Sequence, residues 1–447
     1  MIRRRDLFSI AALPLLPARR TAVFQHENVL GTSLELRLDA ARPQTAEAAA
    51  LAEIDRLAEI LSSYNSGSEV SRWTRTRNKP VRISPELMEV LGLYDTWGAR
   101  TGGALSAAFT SASGAPHWSL NKTRGTATHL TDAALVLNSF TKSYILNSAA
   151  NAAMRHADGV VVNIGGDLVV KGRTTELIQV ANPEDDTENS APKASIRVAN
   201  LAVATSGNSR RGAHIVDPRT GARPDHILSA TVVSPRATDA GALATAFTIL
   251  SIDESRALAA KTPDIAYMLV RKGGGVISNP AWRALLFAPA VQSPTAFEVI
   301  INLELARIEA QRYRRPYVAV WVEDKDKFPV RTVGLWFQKD RWLPDLRGWY
   351  RSDRLRLLAE GNEIAATVSS ATRPAGKYTL KWDGKDNKGV PVKPGKYTIF
   401  IEAAREHGSY DLLKQEIDLT AGPRQFPLTG GTEIAAASID FRKPTGN

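Results

Sequence analysis

The 447-residue chain contains no cysteine, which excludes disulfides, thiolate metal sites, iron–sulfur clusters and cysteine nucleophiles. Methionine is scarce, at four, and aromatic residues make up only 7%. Nowhere do apolar residues run on for the ~18–20 positions a membrane span requires. Acidic residues number 46 against 57 Lys and Arg, a net charge of +11. That surplus invites a nucleic-acid reading, yet no tract interleaves basic and aromatic residues as a nucleic-acid face would. What is present is ordinary for a globular chain: 43% apolar and 23% charged residues, with 31 Gly and 24 Pro spread along it. Collagen-like, coiled-coil and wholly disordered readings are out. At about 100–200 residues per domain, the length predicts two or three domains, each able to bury a core.

The basicity is partly local. Arg3, Arg4 and Arg5 precede a short apolar stretch from Leu7 to Ala18, and Arg19 and Arg20 follow it. Basic residues before a short apolar segment have the order of an export signal. Arg-Arg-Asp-Leu-Phe resembles the twin-arginine type, which carries folded proteins. This segment, taken as residues 1–22, holds five Arg and one Asp, so four of the eleven positive charges belong to it. The expected location is the periplasm, free or held at the membrane by an uncleaved signal, with no stable insertion of the body.

Periodicity supplies the next layer. Ser33–Leu38 alternates and reads as a strand. Ala50, Leu51, Ile54, Leu57, Ala58 and Leu61 make an apolar stripe on a helix over 45–61. Helices are also expected over 84–101, 139–156 and 239–250, with strands at 159–163 and 168–171 and a hairpin around Gly273–Ile277. No regular βαβ repeat emerges, so the expectation over 23–288 is an α+β domain. A Pro-bearing stretch, Ala288–Pro294, marks the boundary. Beyond it, from 296 to 447, short strands such as Tyr317–Val322, Thr332–Phe337, Tyr378–Trp382 and Tyr397–Ile401 alternate with turns. That pattern predicts an all-β, immunoglobulin-like sandwich. Six of the nine Trp lie at or after Trp282, and they are expected to serve as core. Asp383, Asp386 and Asn387 lack the remaining ligands of a Ca²⁺ loop and read as a turn.

Four segments of the first domain carry the chemistry: Leu30-Gly31-Thr32; Lys142-Ser143-Tyr144 followed by Asn163–Asp167; Thr205-Ser206-Gly207 leading into His214–Gly221; and Asp239–Thr245. Singly, each has a plainer reading as a turn, a solvated lysine, a structural histidine or a packing threonine. Together they suggest a diphosphate-containing ligand. Glycine loops let backbone N–H groups approach phosphate, a lysine adds a point charge, and hydroxyls donate to the same anion. His214 could accept a proton from a hydroxyl nucleophile. Asp239 and Thr245 at a helix start could hold Mg²⁺. Neither a Walker A loop nor a dinucleotide fingerprint occurs.

In this order, the segments resemble the ApbE-type flavin transferases over residues ~24–285. Leu30-Gly31-Thr32 is similar to the family's Met-Gly-Thr, Ser63–Ser68 to its Ser/Tyr helix end, and Gly102–Ser106 to its Gly-x-Phe-Asp loop. Lys142–Tyr144 is similar to Lys-Gly-Tyr, Asn163–Asp167 to Asn-x-Gly-Gly-Asp, and His214–Gly221 to His-Ile-x-Asp-Pro-x-Thr-Gly. The resemblance implies transfer of FMN from FAD to a Ser or Thr of an acceptor protein, with release of AMP. It implies FAD contacts from Leu30, Gly31, Thr32, Tyr64, Ala104, Leu105, Ser106, Lys142, Gly165, Gly166, Asp167, Thr205, Ser206, Gly207, Ile215 and Thr220. His214 and Asp217 would be catalytic. Mg²⁺ would be held by Ser139, Thr245 and Asp239. The family's Asp-Ala-Leu-x-Thr reads Gly241-Ala-Leu-Ala-Thr245 here, and its loop Asp is Ser106. A flavin-binding module with weakened catalysis therefore stands as the alternative, and restoring Asp at 241 would separate the two. After residue 296 the chain resembles an uncharacterised domain of exported bacterial proteins, and its Trp382–Tyr397 stretch resembles the module of flagellar hook-capping proteins.

Overall fold

The computed structural model describes residues 20–108, 116–185, 187, 189–190, 192–207, 215–287, 297–308, 314–338, 340–360, 369–406 and 408–442. The proposed signal up to residue 19, His214 and the whole 288–296 boundary stretch lie outside these residues.

The first domain runs β1 (Arg20–Val29), β2 (Thr32–Ala40), α1 (Pro43–Leu61), α2 (Glu69–Thr74), β3 (Pro80–Arg82), α3 (Pro85–Arg100), β4 (Trp118–Asn121), β5 (Thr126–His129), α4 (Asn138–Met154), β6 (Gly159–Ile164) and β7 (Asp167–Gly172). It continues β8 (Glu176–Val180), β9 (Ala194–Val198), β10 (Ala202–Gly207), β11 (Ile227–Ser234), α5 (Ala237–Ile249), α6 (Ile252–Ala260), β12 (Ala266–Arg271), β13 (Val276–Ser278) and α7 (Pro280–Leu285). The strand pairing Arg20↔Ala40 draws residues 20–22, assigned to the signal from sequence, into β1.

An eight-stranded antiparallel sheet, ordered β1-β2-β6-β7-β10-β11-β12-β13, forms the backbone of the domain. Strand side chains alternate between its faces. Val160, Val162 and Ile164 enter the large core beneath the helices, whereas Val161 joins a second core on the opposite face. The stripe expected on α1 is buried at Ala46, Ala50, Ile54, Leu57 and Leu61. Helices α4 and α5 carry alanines where they meet, and α5 is buried almost all round. Small residues let two helices and the sheet approach closely, and this brings the start of α4 against α5. On the other face, the β8–β9 hairpin and Trp282 complete a smaller core.

A three-stranded sheet, β3-β5-β4, flanks the helices and buries His129. The His129 Nδ1 lies 2.8 Å from the Thr74 carbonyl, and its buried Nε2 has no partner among the described residues. Burial pushes its pKa below the ordinary value, as it does for His117. A second ring proton on His129 would have no acceptor, so the folded state favours the neutral form. The unfolded chain then binds protons first as the pH falls through about 6.5, and stability falls with it. Thermal melting should occur at a lower temperature at about pH 5.5 than at about pH 7.5, and H129Q should narrow that gap. An undiminished gap in H129Q would assign the effect elsewhere.

The second domain comprises β14 (Glu298–Leu305), β15 (Tyr317–Asp324), β16 (Pro329–Trp336), a 3₁₀ turn (Asp340–Asp345), α8 (Arg347–Glu360), β17 (Ser369–Ser370), β18 (Gly376–Trp382), β19 (Lys396–Ala404), β20 (Tyr410–Asp418), β21 (Arg424–Thr429) and β22 (Ile434–Arg442). Sheets ordered β18-β14-β22-β21 and β17-β16-β15-β19-β20 share one core, with Val299, Ile301, Val320, Ile399, Trp382 and Phe441 inside. The two-sheet sandwich was legible from the strand spacing; α8 was not. It covers the outer face of the larger sheet, where Trp321 stacks on Phe400 at 4.7 Å and Trp349 is buried. The wholly buried Glu402 accepts from the Gly348 and Trp349 N–H groups, both at 2.8 Å, and so satisfies the helix start. Asp386 and Asn387 accept backbone N–H bonds of the β18–β19 connection and of Thr332, as expected of a turn. Asn189 of the first domain exchanges two hydrogen bonds with the Lys381 main chain, filling part of the open edge of β18.

Candidate functional site

One end of the eight-stranded sheet gathers the sequence-marked segments. Leu30 and Gly31, at φ +50° and +75°, link β1 to β2, and Gly165 and Gly166, at φ +57° and +95°, link β6 to β7. Two successive positive φ values define the tight hairpin turn whose twist matches its strands. Leucine is rarely found there, so the Leu30 turn is strained. The turns lie side by side because β2 pairs with β6, Leu34 opposite Ile164, and Gly165 N–H donates to the Ser33 carbonyl at 3.0 Å. Strand β10 pairs with β7 and ends at the same rim with Thr205–Gly207. A Cβ at Gly207 would overlap the Leu228 carbonyl, so only glycine permits this close approach of β11.

Asp167 ties three elements together. Its Oδ1 accepts from the Thr205 N–H at 3.2 Å, and its Oδ2 lies 2.5 Å from Lys142 Nζ on α4. Thr205 Oγ1 is 3.0 Å from Thr231 Oγ1, and Ser206 Oγ is 3.3 Å from Thr245 Oγ1 on α5. The start of α4 has no side-chain cap of its own. The buried Tyr94 hydroxyl takes that place, accepting from Ser139 N–H and donating to the Val136 carbonyl, both at 3.2 Å. Burial raises its pKa, so it stays a neutral donor. Tyr64, 86% exposed, accepts from Asn138 Nδ2 at 3.1 Å and thus stands beside the same helix start. The Ser139 carbonyl faces α5, 3.6 Å from where a Cβ on Gly241 would lie.

Other expectations fare differently. The Asp217 carboxylate is clamped by its own turn: Arg219 donates through N–H, Nε and Nη2 at 2.8–3.2 Å. Burial opposes ionisation, but these bonds overcome it and hold the carboxyl below its usual range. A carboxylate so paired is a poor proton acceptor, so the expectation of Asp217 as a catalytic base gives way to a role in shaping the turn. Thr220 and Gly221 N–H donate to the Asp217 carbonyl in that turn. Arg219 also runs over Gly103, setting the Gly102–Ser106 loop against it. Ala104, Leu105 and Ile215 have their side chains in the large core, which leaves only their main chain for a ligand. Ser106 bonds the Ala108 carbonyl and lies 3.2 Å from His117 Nε2.

Asp239 is not a partner of Thr245. At about 100° per helical residue, positions 241 and 245 stand roughly 40° apart, whereas 239 and 245 stand about 120° apart. The carboxylate is buried and bonded to Arg236, whose Nε is 2.6 Å away. Among the described residues, no group of three or more Asp, Glu or His converges. Asp239 therefore does not join Ser139 O and Thr245 Oγ1, and the donor set expected from sequence to hold Mg²⁺ does not come together. Sequence reasoning missed Arg219 and Arg236. The short spacings Asp217–Arg219 and Arg236–Asp239 were the available signals.

The fold and this rim define an α+β domain built around an antiparallel sheet, with a polar site where two glycine-bearing turns meet two helices. Residues 30–269, more than half of the chain, match the family model described as ApbE family, and the chain belongs to that family. Residues 298–436 match the model described as "Predicted periplasmic protein (DUF2271)"; hook-capping likeness finds no support there. The "FAD:protein FMN transferase" of Haemophilus influenzae is 29% identical over 157 residues, 32% of this chain and 45% of that protein. That match spans less than half of the relative's length. The protein of the same name from Klebsiella pneumoniae is 22% identical over 62% of this chain and 92% of its own. The solved apo flavinyl transferase ApbE of Pseudomonas stutzeri superposes with a TM-score of 0.52 at 19% identity, covering 61% of this chain and 98% of that one. The ApbE protein of Thermotoga maritima gives 0.53 at 20% identity, covering 60% and 100%. At these identities, the structural likeness shows the fold.

Proposed function

We propose that this protein is a periplasmic FAD:protein FMN transferase, moving FMN from FAD to a Ser or Thr hydroxyl of an acceptor protein and releasing AMP. The observation carrying the reading is the convergence of Lys142, Asp167, Thr205, Ser206 and Thr245 beside the Leu30 and Gly165 turns. Two relatives bearing that activity in their names support it. In the reaction, the acceptor oxygen bonds to the FMN-side phosphorus of FAD. The bond from that phosphorus to the bridging oxygen breaks, AMP departs with that oxygen, and the hydroxyl proton passes to a base. His214 is the base in this proposal. Lys142 neutralises the diphosphate, and Ser206 and Thr245 offer hydroxyl donors to it. No step is routed through a metal, because the donor set does not complete a site for one. Export by the twin-arginine route fits the arginine pair of residues 1–22, and the periplasmic family description of the second domain agrees with the destination.

The alternative, a flavin-binding module with weakened transfer, draws on Gly241 standing where the family carries Asp. One assay separates them: incubate the protein with FAD and an acceptor domain bearing a target Ser or Thr, then resolve the mixture by denaturing electrophoresis. A covalent fluorescent band on the acceptor is expected, and H214A should lose it. FAD binding without any band would establish the binding module instead.

A further inference from the structure

We infer that Ser143 and Gly241 form a matched pair, with Ser143 filling the space a side chain on α5 would need, so that this flavin site operates without a carboxylate-held divalent cation. This rests on the flavin-site reading for its cation half, but not for its packing half.

The two residues face each other across the α4–α5 contact. A Cβ built on Gly241 would lie 3.0 Å from Ser143 Oγ and 3.2 Å from Ser143 Cβ, with Ser139 O next at 3.6 Å. Both residues are buried, and Ser143 Oγ is anchored by donating to the Phe140 carbonyl at 3.1 Å. Rotating the hydroxyl away would lose that bond and still leave Ser143 Cβ too close. Position 241 has ordinary helical geometry, so its glycine is not required by the backbone; what disfavours a side chain there is the close approach of Ser143. The serine in turn fits only because α5 has no side chain at that point. Glycine at 143 with a side chain at 241 would fill the same volume from the opposite helix. A side chain on 241 would stand next to Ser139 O and on the face of Thr245, whereas the serine brings no charge there. The exchange therefore leaves position 241 without a negative charge beside Ser139 O. Asp239 cannot replace it, since it points elsewhere and is bonded to Arg236.

Two measurements test the pair. The first needs no flavin: G241A is made in the wild-type and S143G backgrounds and melted. Alanine should normally stabilise a helical glycine position, so in S143G it should raise the melting temperature by about 1–4 °C. In the wild-type background the crowding should cancel or reverse that gain. An equal shift in both backgrounds would overturn the pairing. The second compares FAD affinity, by flavin fluorescence, in EDTA and in MgCl₂. Wild type should change less than about twofold, while S143G/G241D should bind about tenfold or more tightly with MgCl₂. A tenfold Mg²⁺ effect in wild type would overturn the cation half. Wild type binding no FAD in either buffer would instead sink the flavin reading, leaving the melting comparison to decide the packing.

Discussion

Replacing Lys142 with Met should weaken FAD binding by about 10- to 100-fold while leaving the fold intact. The methionine keeps the apolar stem and removes only the charge. A charge-assisted bond to an anion contributes about 1.5–3 kcal/mol, and each 1.4 kcal/mol is about tenfold in affinity. Lys142 is three-quarters covered, which limits solvent screening, and Asp167 fixes its ammonium at 2.5 Å. Asp167→Asn should be milder, about threefold, because its amide oxygen can still accept from Thr205 N–H while the lysine remains but is less well positioned. The two changes together should be less than the sum of their separate effects, since they act through one contact. Titration of flavin fluorescence at fixed salt reads all three chains. K142M binding FAD like wild type would show that the lysine serves only Asp167.

The second large effect concerns stability. Trp282→Ala should destabilise the first domain by about 3–5 kcal/mol, the cost of truncating a large core aromatic. Trp282 is 2% exposed and closes the smaller core against Ile178, Val180, Ile196, Val198, Met268 and Val270. Asn279 fixes the helix that carries it, accepting from Trp282 N–H at 3.0 Å. The measurement is denaturant unfolding followed in the full chain, where the first-domain transition should move and the sandwich transition should not. A shift of both would mean that the two domains unfold as one unit.

Trp282 also shows where sequence reading stops. The bounds 23–288 already put it in the first domain. Which core it closes was not legible, and the structure sets it in the smaller core behind the eight-stranded sheet. Burial depends on which face of which sheet a helix returns to, and a six-residue helix carries too little periodicity to announce that. Helix α8 was hidden for a related reason. Arg347, Arg351, Arg354 and Arg356 make its pattern look polar, while its anchor, Glu402, lies about fifty residues away on a strand.

The sequence by itself determined the elements and the inventory. The apolar stripe of α1, the Leu30-Gly31 and Gly165-Gly166 turns, the lysine on α4 and the order of the motifs are local, because helix period, strand alternation and left-handed backbone are set by neighbours in the chain. Only the tertiary structure decided which atoms meet. Antiparallel register carries the Leu30 and Gly165 turns and the Thr205 strand end to one rim, although they are separated by as many as 175 positions. Helix rotation turned Asp239 towards Arg236 and away from Thr245. Close packing of α4 on α5 made Ser143 and Gly241 each other's reason. Direction and contact distance arise from the whole fold, and a motif names residues without aiming them.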